Sequence, residues 1–292
     1  MKLTVSHKKT FLSTLFITLG IVIICGAGLY AYQRYTDASK AAQQRAIQQE
    51  ERIEREKATA VKEALKKQPV IIQLPNAKPI TARVENYTQP NSLWVVVNKV
   101  QGISTDYVPR PLVIPDVLGR TDKSIEEQSV REDIAVPLKT MFAAAQKDGH
   151  ALMIGSAYRS AALQKSYFDN YAAVSGADAA NMLSAHPGES EHQTGLAVDI
   201  SSVSRNCYLN ECFTSTPDGQ WLAEHAYLYG FTLRYPEGKT AITGYNFEPW
   251  HYRYVGIALA TALYESKLTL DEAMPYLEAA QKTLIKNGAL DS

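Results

Sequence analysis

The sequence predicts an α+β domain preceded by a transmembrane helix and a helical stalk. Three observations lead there. An uncharged apolar run lies near the N-terminus, a stretch of strong helix formers without Gly or Pro follows it, and from about residue 70 short β-branched segments alternate with helical patterns. At 292 residues the chain has room for one or two domains with a sizeable core. Lys+Arg and Asp+Glu balance at 30 each, so a generally basic nucleic-acid-binding surface is excluded. Three cysteines are too few for a disulfide-built scaffold, and 46% hydrophobic residues exclude global disorder. The neutrality is a sum of two unlike parts. Residues 1–68 carry 12 basic and 6 acidic side chains, whereas residues 69–292 carry 18 and 24.

Residues 10–33 contain no charged side chain, which suffices to cross a bilayer core of roughly 20 helical residues. Lys2, Lys8 and Lys9 precede the run and place residues 1–9 in the cytoplasm by the positive-inside rule. The rest of the chain is then outside the cytoplasm. Tyr30, Tyr32 and Tyr35 sit at the outer interface. Rival readings are a cleaved signal peptide and a buried core helix. No clear small-x-small site follows the run, and Ile24 before Cys25 does not suit a lipoprotein.

Residues 34–68 read as a solvated helical stalk, rich in Ala, Gln, Glu, Lys and Arg. Ile47, Ile53, Val61 and Leu65 do not sustain a heptad, so a coiled-coil dimer is not supported. Pro69, Pro75 and Pro79 end the helix.

Residues 69–292 form one globular domain. SLWVVVNKV (92–100) predicts a strand, and the prolines 109, 111 and 115 predict an extended loop. Ile134 to Asp148 predicts a helix closed by Gly149. MIGSAYRS reads as a strand and turn, AALQKSYFDNYAAV as a helix, and LAVDI (196–200) as a strand. GQWLAEHAYLYGF is a helix closed by Gly230, and WHYRYV (250–255) a strand. LTLDEAMPYLEAAQKTLI is a C-terminal helix that starts near Thr269 or Asp271, with Pro275 in its first turn.

Four residues carry the chemistry: His192 and Asp199 in SEHQTGLAVDI, Glu248 and His251 in EPWHYRYVG. Two imidazoles and a carboxylate are a ligand set that zinc accepts at a catalytic site with an open position. The second carboxylate suits the base that relays a proton from the attacking water to the leaving amine. Alternation in LAVDI puts Leu196, Val198 and Ile200 on one face and Asp199 on the other. Gly195 permits a turn that returns His192 to Asp199, and Trp250 and Tyr252 point away from His251. The bland reading, two unrelated core histidines, stays open on spacing alone. His186 with Glu189 and Glu191 is a rival ligand cluster, while His150 and His225 read as packing or surface residues.

SAYRSAALQ, PGESEHQTGLAVDI and GFTLRYPEGK…GYNFEPWHYRYVG together resemble the VanY-type zinc D-alanyl-D-alanine carboxypeptidases, of the wider LAS metallopeptidase group. The likeness extends over roughly residues 90–275. It implies a small antiparallel sheet flanked by helices, with one zinc ion on a sheet face. It implies His192, Asp199 and His251 as zinc ligands, Glu248 as catalytic base and Arg159 as the arginine that contacts the peptide and steadies the oxyanion. Arg159 has an alternative role, reading the substrate's free carboxylate. Tyr158, Gln164 and Ser190 fall where the family lines its pocket for the terminal D-residue. The implied substrate is the peptidoglycan stem peptide, trimmed of its C-terminal D-alanine at a D,D or L,D bond. A peptidoglycan endopeptidase and a non-catalytic wall-binding protein are the alternatives. Cys207 and Cys212 flank YLNE, and a local disulfide is expected outside the cytoplasm, with free thiols or a second metal site as alternatives.

Overall fold

The computed structural model describes residues 6–291. Lys2 and the first half of the proposed cytoplasmic segment lie outside the described residues. The chain divides near Leu65 into two units.

The first unit is one helix, α1 (Ser6–Lys66), of 61 residues. Its apolar and polar parts are continuous, because nothing between them breaks the backbone: the glycines at 20, 26 and 28 are tolerated and the first proline comes only at Pro69. The described apolar part, including Phe16, Val22, Ile24 and Leu29, is exposed, and the helix is long and apolar enough to cross a membrane. Its polar part carries an i,i+4 pair, Arg52–Glu56.

The second unit runs β1 (Ile71–Ile72), β2 (Ile80–Thr81), β3 (Leu112–Val113), α2 (Ile125–Gln128), β4 (Val130–Arg131), α3 (Glu132–Lys147) and β5 (Leu152–Ser156). It continues through α4 (Ala161–Ser175), α5 (Ala177–Leu183), β6 (Ala197–Ser202), α6 (Pro217–His225), β7 (Phe231–Leu233), α7 (Thr240–Thr243), β8 (His251–Tyr254), α8 (Ile257–Ser266) and α9 (Leu270–Lys286). Two short antiparallel pairs, β1–β2 and β3–β4, accompany a four-stranded sheet in the order β5-β6-β8-β7. All of its pairings are antiparallel. The α+β architecture and the small antiparallel sheet expected from the sequence are what the chain adopts.

Alternation along the central strands sorts the two faces. Leu196, Val198 and Ile200 join Ile134, Leu138, Met141 and Leu222 in the core. The opposite face receives Asp199, paired across the ladder with His251, and Arg253, paired with Ala197. Ser156 lies across from Asp199 beyond an irregularity in the β5–β6 register. One side of the sheet is therefore dry packing and the other carries charge.

Several sequence expectations are corrected here. Residues 92–97 are buried but form no ladder. Their backbone is held by side chains instead: the Trp94 indole donates to Val255 O at 2.8 Å, and the Arg253 guanidinium donates to Leu93 O and Val95 O. Burial, which β-branched runs favour, was mistaken for strand pairing. Helix α9 starts at Leu270 behind a Thr269–Glu272 capping box, which places Pro275 in its second turn rather than its first. The helix around Trp221 ends at His225, and a 3₁₀ turn (Ala226–Tyr229) carries the chain to Gly230. The disulfide expected between Cys207 and Cys212, by contrast, is formed.

Trp94→Ala removes a fully buried ring and the donor to Val255. We expect a loss of about 3–5 kcal/mol in chemical denaturation, far more than truncation of a mere lead-in would give. Replacing both Cys207 and Cys212 by Ser should lower stability by about 2 kcal/mol, as a short covalently closed loop predicts; the denaturation midpoints under non-reducing conditions check this.

Candidate active site

His192 sits in a 3₁₀ turn (Glu191–Thr194) that ends at Gly195, whose φ of 68° is left-handed. The Gly195 N–H donates to His192 O, and a Cβ at 195 would lie 3.1 Å from the Arg131 nitrogen, so glycine is required both by conformation and by space. The turn returns His192 to the next strand. His192 Nδ1 lies 2.6 Å from Ala157 O, which directs Nε2 at Asp199 Oδ2, 3.3 Å away. On the other side, His251 Nδ1 lies 3.2 Å from Asp199 Oδ1. The two imidazoles meet edge to face, 4.9 Å between centroids.

One ligand atom from each of His192, Asp199 and His251 falls within 4.8 Å of the others, and all three residues are buried. Asp199 Oδ1 and His251 Nε2 make no hydrogen bond. A buried carboxylate oxygen left without a donor between two imidazoles fits a cation, since such atoms otherwise cost free energy. Glu248 Oε2 stands 3.7 Å from His251 Nδ1, outside the trio but next to it. Pro249 follows it and keeps the backbone from turning helical before the strand.

Charge is tuned by burial and neighbours. Burial alone would raise the Asp199 carboxyl, but the His192 and His251 imidazoles outweigh it and hold Asp199 well below the usual carboxylate range. Burial lowers His192. Burial also opposes charge on His251, yet Asp199 and Glu191 prevail and raise it to about 9. Glu248 is pushed up to about 7, chiefly by burial and with Asp199 adding to it, against the pull of His251. A carboxyl so placed can accept and return a proton near neutrality.

The cluster opens on a cavity of about 220 Å³ lined by Arg159, Gln164, Ser190, Glu248, Lys123 and Tyr167, among others. Arg159 lies 3.9 Å from Asp199 Oδ2. Its guanidinium donates to Gln164 Oε1 at 2.7 Å and to Ser156 Oγ at 3.3 Å, and it lies over the Tyr167 ring. Its Nε is buried without a hydrogen-bond partner. Gln164 is buried, and its amide also donates to Ser184 Oγ and Ala185 O, so it braces Arg159 rather than standing free. Tyr158 departs from expectation: it does not line the cavity. Its backbone N–H pairs with Ser129 O, and its ring is buried on the side of Tyr107 and Glu126, because neighbouring residues of an extended segment face opposite ways.

The rival cluster does not assemble. His186 packs on Phe168, and Glu191 is enclosed by Arg234 and Arg253 at 2.8 Å each. His225 stacks on Trp221, and His150 pairs with Asp218. The sequence reading also missed Lys123 and Tyr167, which hydrogen-bond to each other and to Glu127. No short motif marks them. Arg253 was within reach, since in HYRYV it shares a strand face with His251.

Residues 127–257 match the VanY family, described as D-alanyl-D-alanine carboxypeptidase. YodJ of Bacillus subtilis (strain 168) is 46% identical over 199 residues, spanning 68% of this chain and 72% of that protein. The chain belongs to the VanY family. The LD-carboxypeptidase LdcB is a similar solved structure, with a TM-score of 0.60 and 46% identity over 65% of this chain and 87% of that one. A mutant of the vancomycin resistance D,D-pentapeptidase VanY from a VanB-type cassette, in complex with Zn(II), matches with a TM-score of 0.52 and 32% identity, over 64% of this chain and 99% of that one. Arg159, His192, Asp199, Glu248 and His251 all fall inside the span matched to the VanY family, and the chain is a carboxypeptidase of the LAS class.

Because the folded Glu248 carboxyl titrates near 7 against 4.5 when unperturbed, the metal-free folded state binds the extra proton between those values. Its stability contribution is full below about 4.5 and is lost as pH rises through about 7. Metal-free Glu248→Gln should therefore lose less stability between pH 5 and pH 8 than wild type in chemical denaturation. An equal loss in both proteins would contradict the environment assigned to Glu248.

Proposed function

We propose that this chain is a membrane-anchored zinc carboxypeptidase that removes the C-terminal D-alanine of peptidoglycan stem peptides, at a D,D or an L,D bond. The observation that carries the reading is the convergence of His192, Asp199 and His251 beside Glu248, at the wall of a cavity that also holds Arg159. The donors are two imidazoles and one carboxylate, which suits zinc with a position left open.

Zinc held by these three residues would supply Lewis acidity to the scissile carbonyl and lower the pKa of the attacking water. Glu248 takes the proton from that water and delivers it to the leaving amine. Its elevated pKa, about 7, keeps both steps within reach at neutral pH. Arg159 is steadied by Gln164 and Ser156 and lies next to Asp199 at the cavity wall, so its guanidinium suits the carbonyl oxygen as negative charge develops there. Ser190, buried at the cavity wall, is placed to contact the terminal residue of the substrate.

Residues 10–33 are the membrane anchor, 34–68 the stalk and 69–292 the peptidase domain. Lys2, Lys8 and Lys9 orient residues 1–9 to the cytoplasm, which carries the peptidase domain to the cell-wall side. The net positive charge of the first 68 residues favours an anionic membrane surface.

The test is incubation of the full-length, detergent-solubilised protein with defined pentapeptide and tetrapeptide muropeptides, followed by mass spectrometry. Loss of one alanine is expected, abolished by a zinc chelator and restored by zinc. Glu248→Gln should lower kcat by about 10²–10⁴ while leaving zinc bound. An internal cut would reassign the protein as an endopeptidase, and no product from zinc-loaded protein would refute catalysis.

A further inference from the structure

The side chain of Glu191 has no exposed surface, and neither have those of Arg234 and Arg253 beside it. Both arginines donate to the same oxygen, Oε1, at 2.8 Å. The other oxygen, Oε2, makes no hydrogen bond and faces His251 Nε2 at 3.7 Å, a nitrogen that also has no partner. Neutralisation does not account for this arrangement. The two arginines are already matched by Glu191 and by Asp271, which pairs with Arg234. What Oε2 adds is direction. The anionic oxygen opposite Nε2 favours the ring proton on that nitrogen, so that Nδ1, 3.2 Å from Asp199, is the nitrogen left to a cation. A histidine that binds metal through one nitrogen is commonly held by an acceptor on the other.

The arginines extend the contact outward. Arg253 donates to Leu93 O at 3.1 Å and Val95 O at 2.8 Å. Arg234 reaches Asp271 in the first turn of α9, and Asp271 accepts from Asn98 at 2.9 Å. Leu93, Val95, Asn98 and Asp271 all lie outside residues 127–257, the span matched to the family.

We propose, on the metal-site reading above, that Glu191 is a positioning residue that presents His251 to the metal through Nδ1, and that the 92–98 segment and α9 act on the metal site through it. Zinc dissociation constants of the full-length protein, from competition with a chromogenic chelator, test this together with the His251 tautomer read by ¹⁵N NMR. Glu191→Gln removes the charge. Glu191→Asp keeps the charge for the arginines but withdraws the carboxylate from His251 by about 1.5 Å, and so covers the case in which the glutamine variant does not fold. Either folded variant should bind zinc about 10–100-fold more weakly, with the protonated Nε2 signal of His251 diminished. Zinc binding by a folded variant within twofold of wild type overturns the proposal, as does coordination of wild-type His251 through Nε2. Wild-type protein that binds no zinc at all overturns the metal-site reading itself and this proposal with it.

Discussion

A carboxylate with no access to water persists in a protein interior only if cations come to it, and the Glu191 carboxylate is such a group. Arg234 arrives from the chain just after β7 and Arg253 from the middle of β8, so Glu191 brings the edge of the sheet and the 3₁₀ turn before β6 to one point. Withdrawing one partner from such a cluster would leave an uncompensated buried charge, at a cost of about 3–5 kcal/mol. That penalty defines the site face of the sheet as firmly as the apolar core defines the other. The segment at 92–97 is held down by the same guanidinium, which explains how a strand-like run stays buried without pairing.

The metal cluster is the next layer of the same construction. Three devices bring its members together: a left-handed glycine turns the chain after His192, strand alternation points Asp199 away from the core, and the β6–β8 register sets His251 opposite Asp199. The first two are local and the third is a long-range pairing, and the cluster forms only when all three hold at once. The Ala157 carbonyl and the Glu191 carboxylate then face the outer nitrogens of the two imidazoles, so the inner nitrogens converge. Arg159 is held with similar economy by Gln164, Ser156 and the Tyr167 ring, one helix turn and one strand away.

Much of this was legible in the chain. His192, Asp199, Glu248 and His251 stand in two short strings whose residue types and alternation point to one chemistry, and LAVDI reports its own burial. The errors have physical causes. The run at 92–97 displays the composition of a strand because it is buried, and composition does not reveal whether a backbone finds its partners in a ladder or in an arginine. The family likeness puts Tyr158 in the pocket with Arg159, whereas adjacent residues in extended chain face apart. Pro275 was counted from the wrong first residue, a matter settled by the Thr269 cap. Lys123, Tyr167 and Glu127 were not visible as a set because 40 residues separate Tyr167 from Glu127 and no motif links them.

The sequence by itself determined the membrane-length helix, the polar stalk, the α+β class and the ligand types, because each follows from local composition and periodicity. Only the tertiary structure decided how Glu191 and Asp199 divide between the arginines and the histidines. Alternation in LAVDI singles out Asp199, but nothing in the sequence around Glu191 announces that it too comes to lie beside His251. Two arginines from distant segments claim Glu191, and the strand register leaves Asp199 to the histidines. That division depends on contacts made across the sheet, and so it exists only in the folded chain.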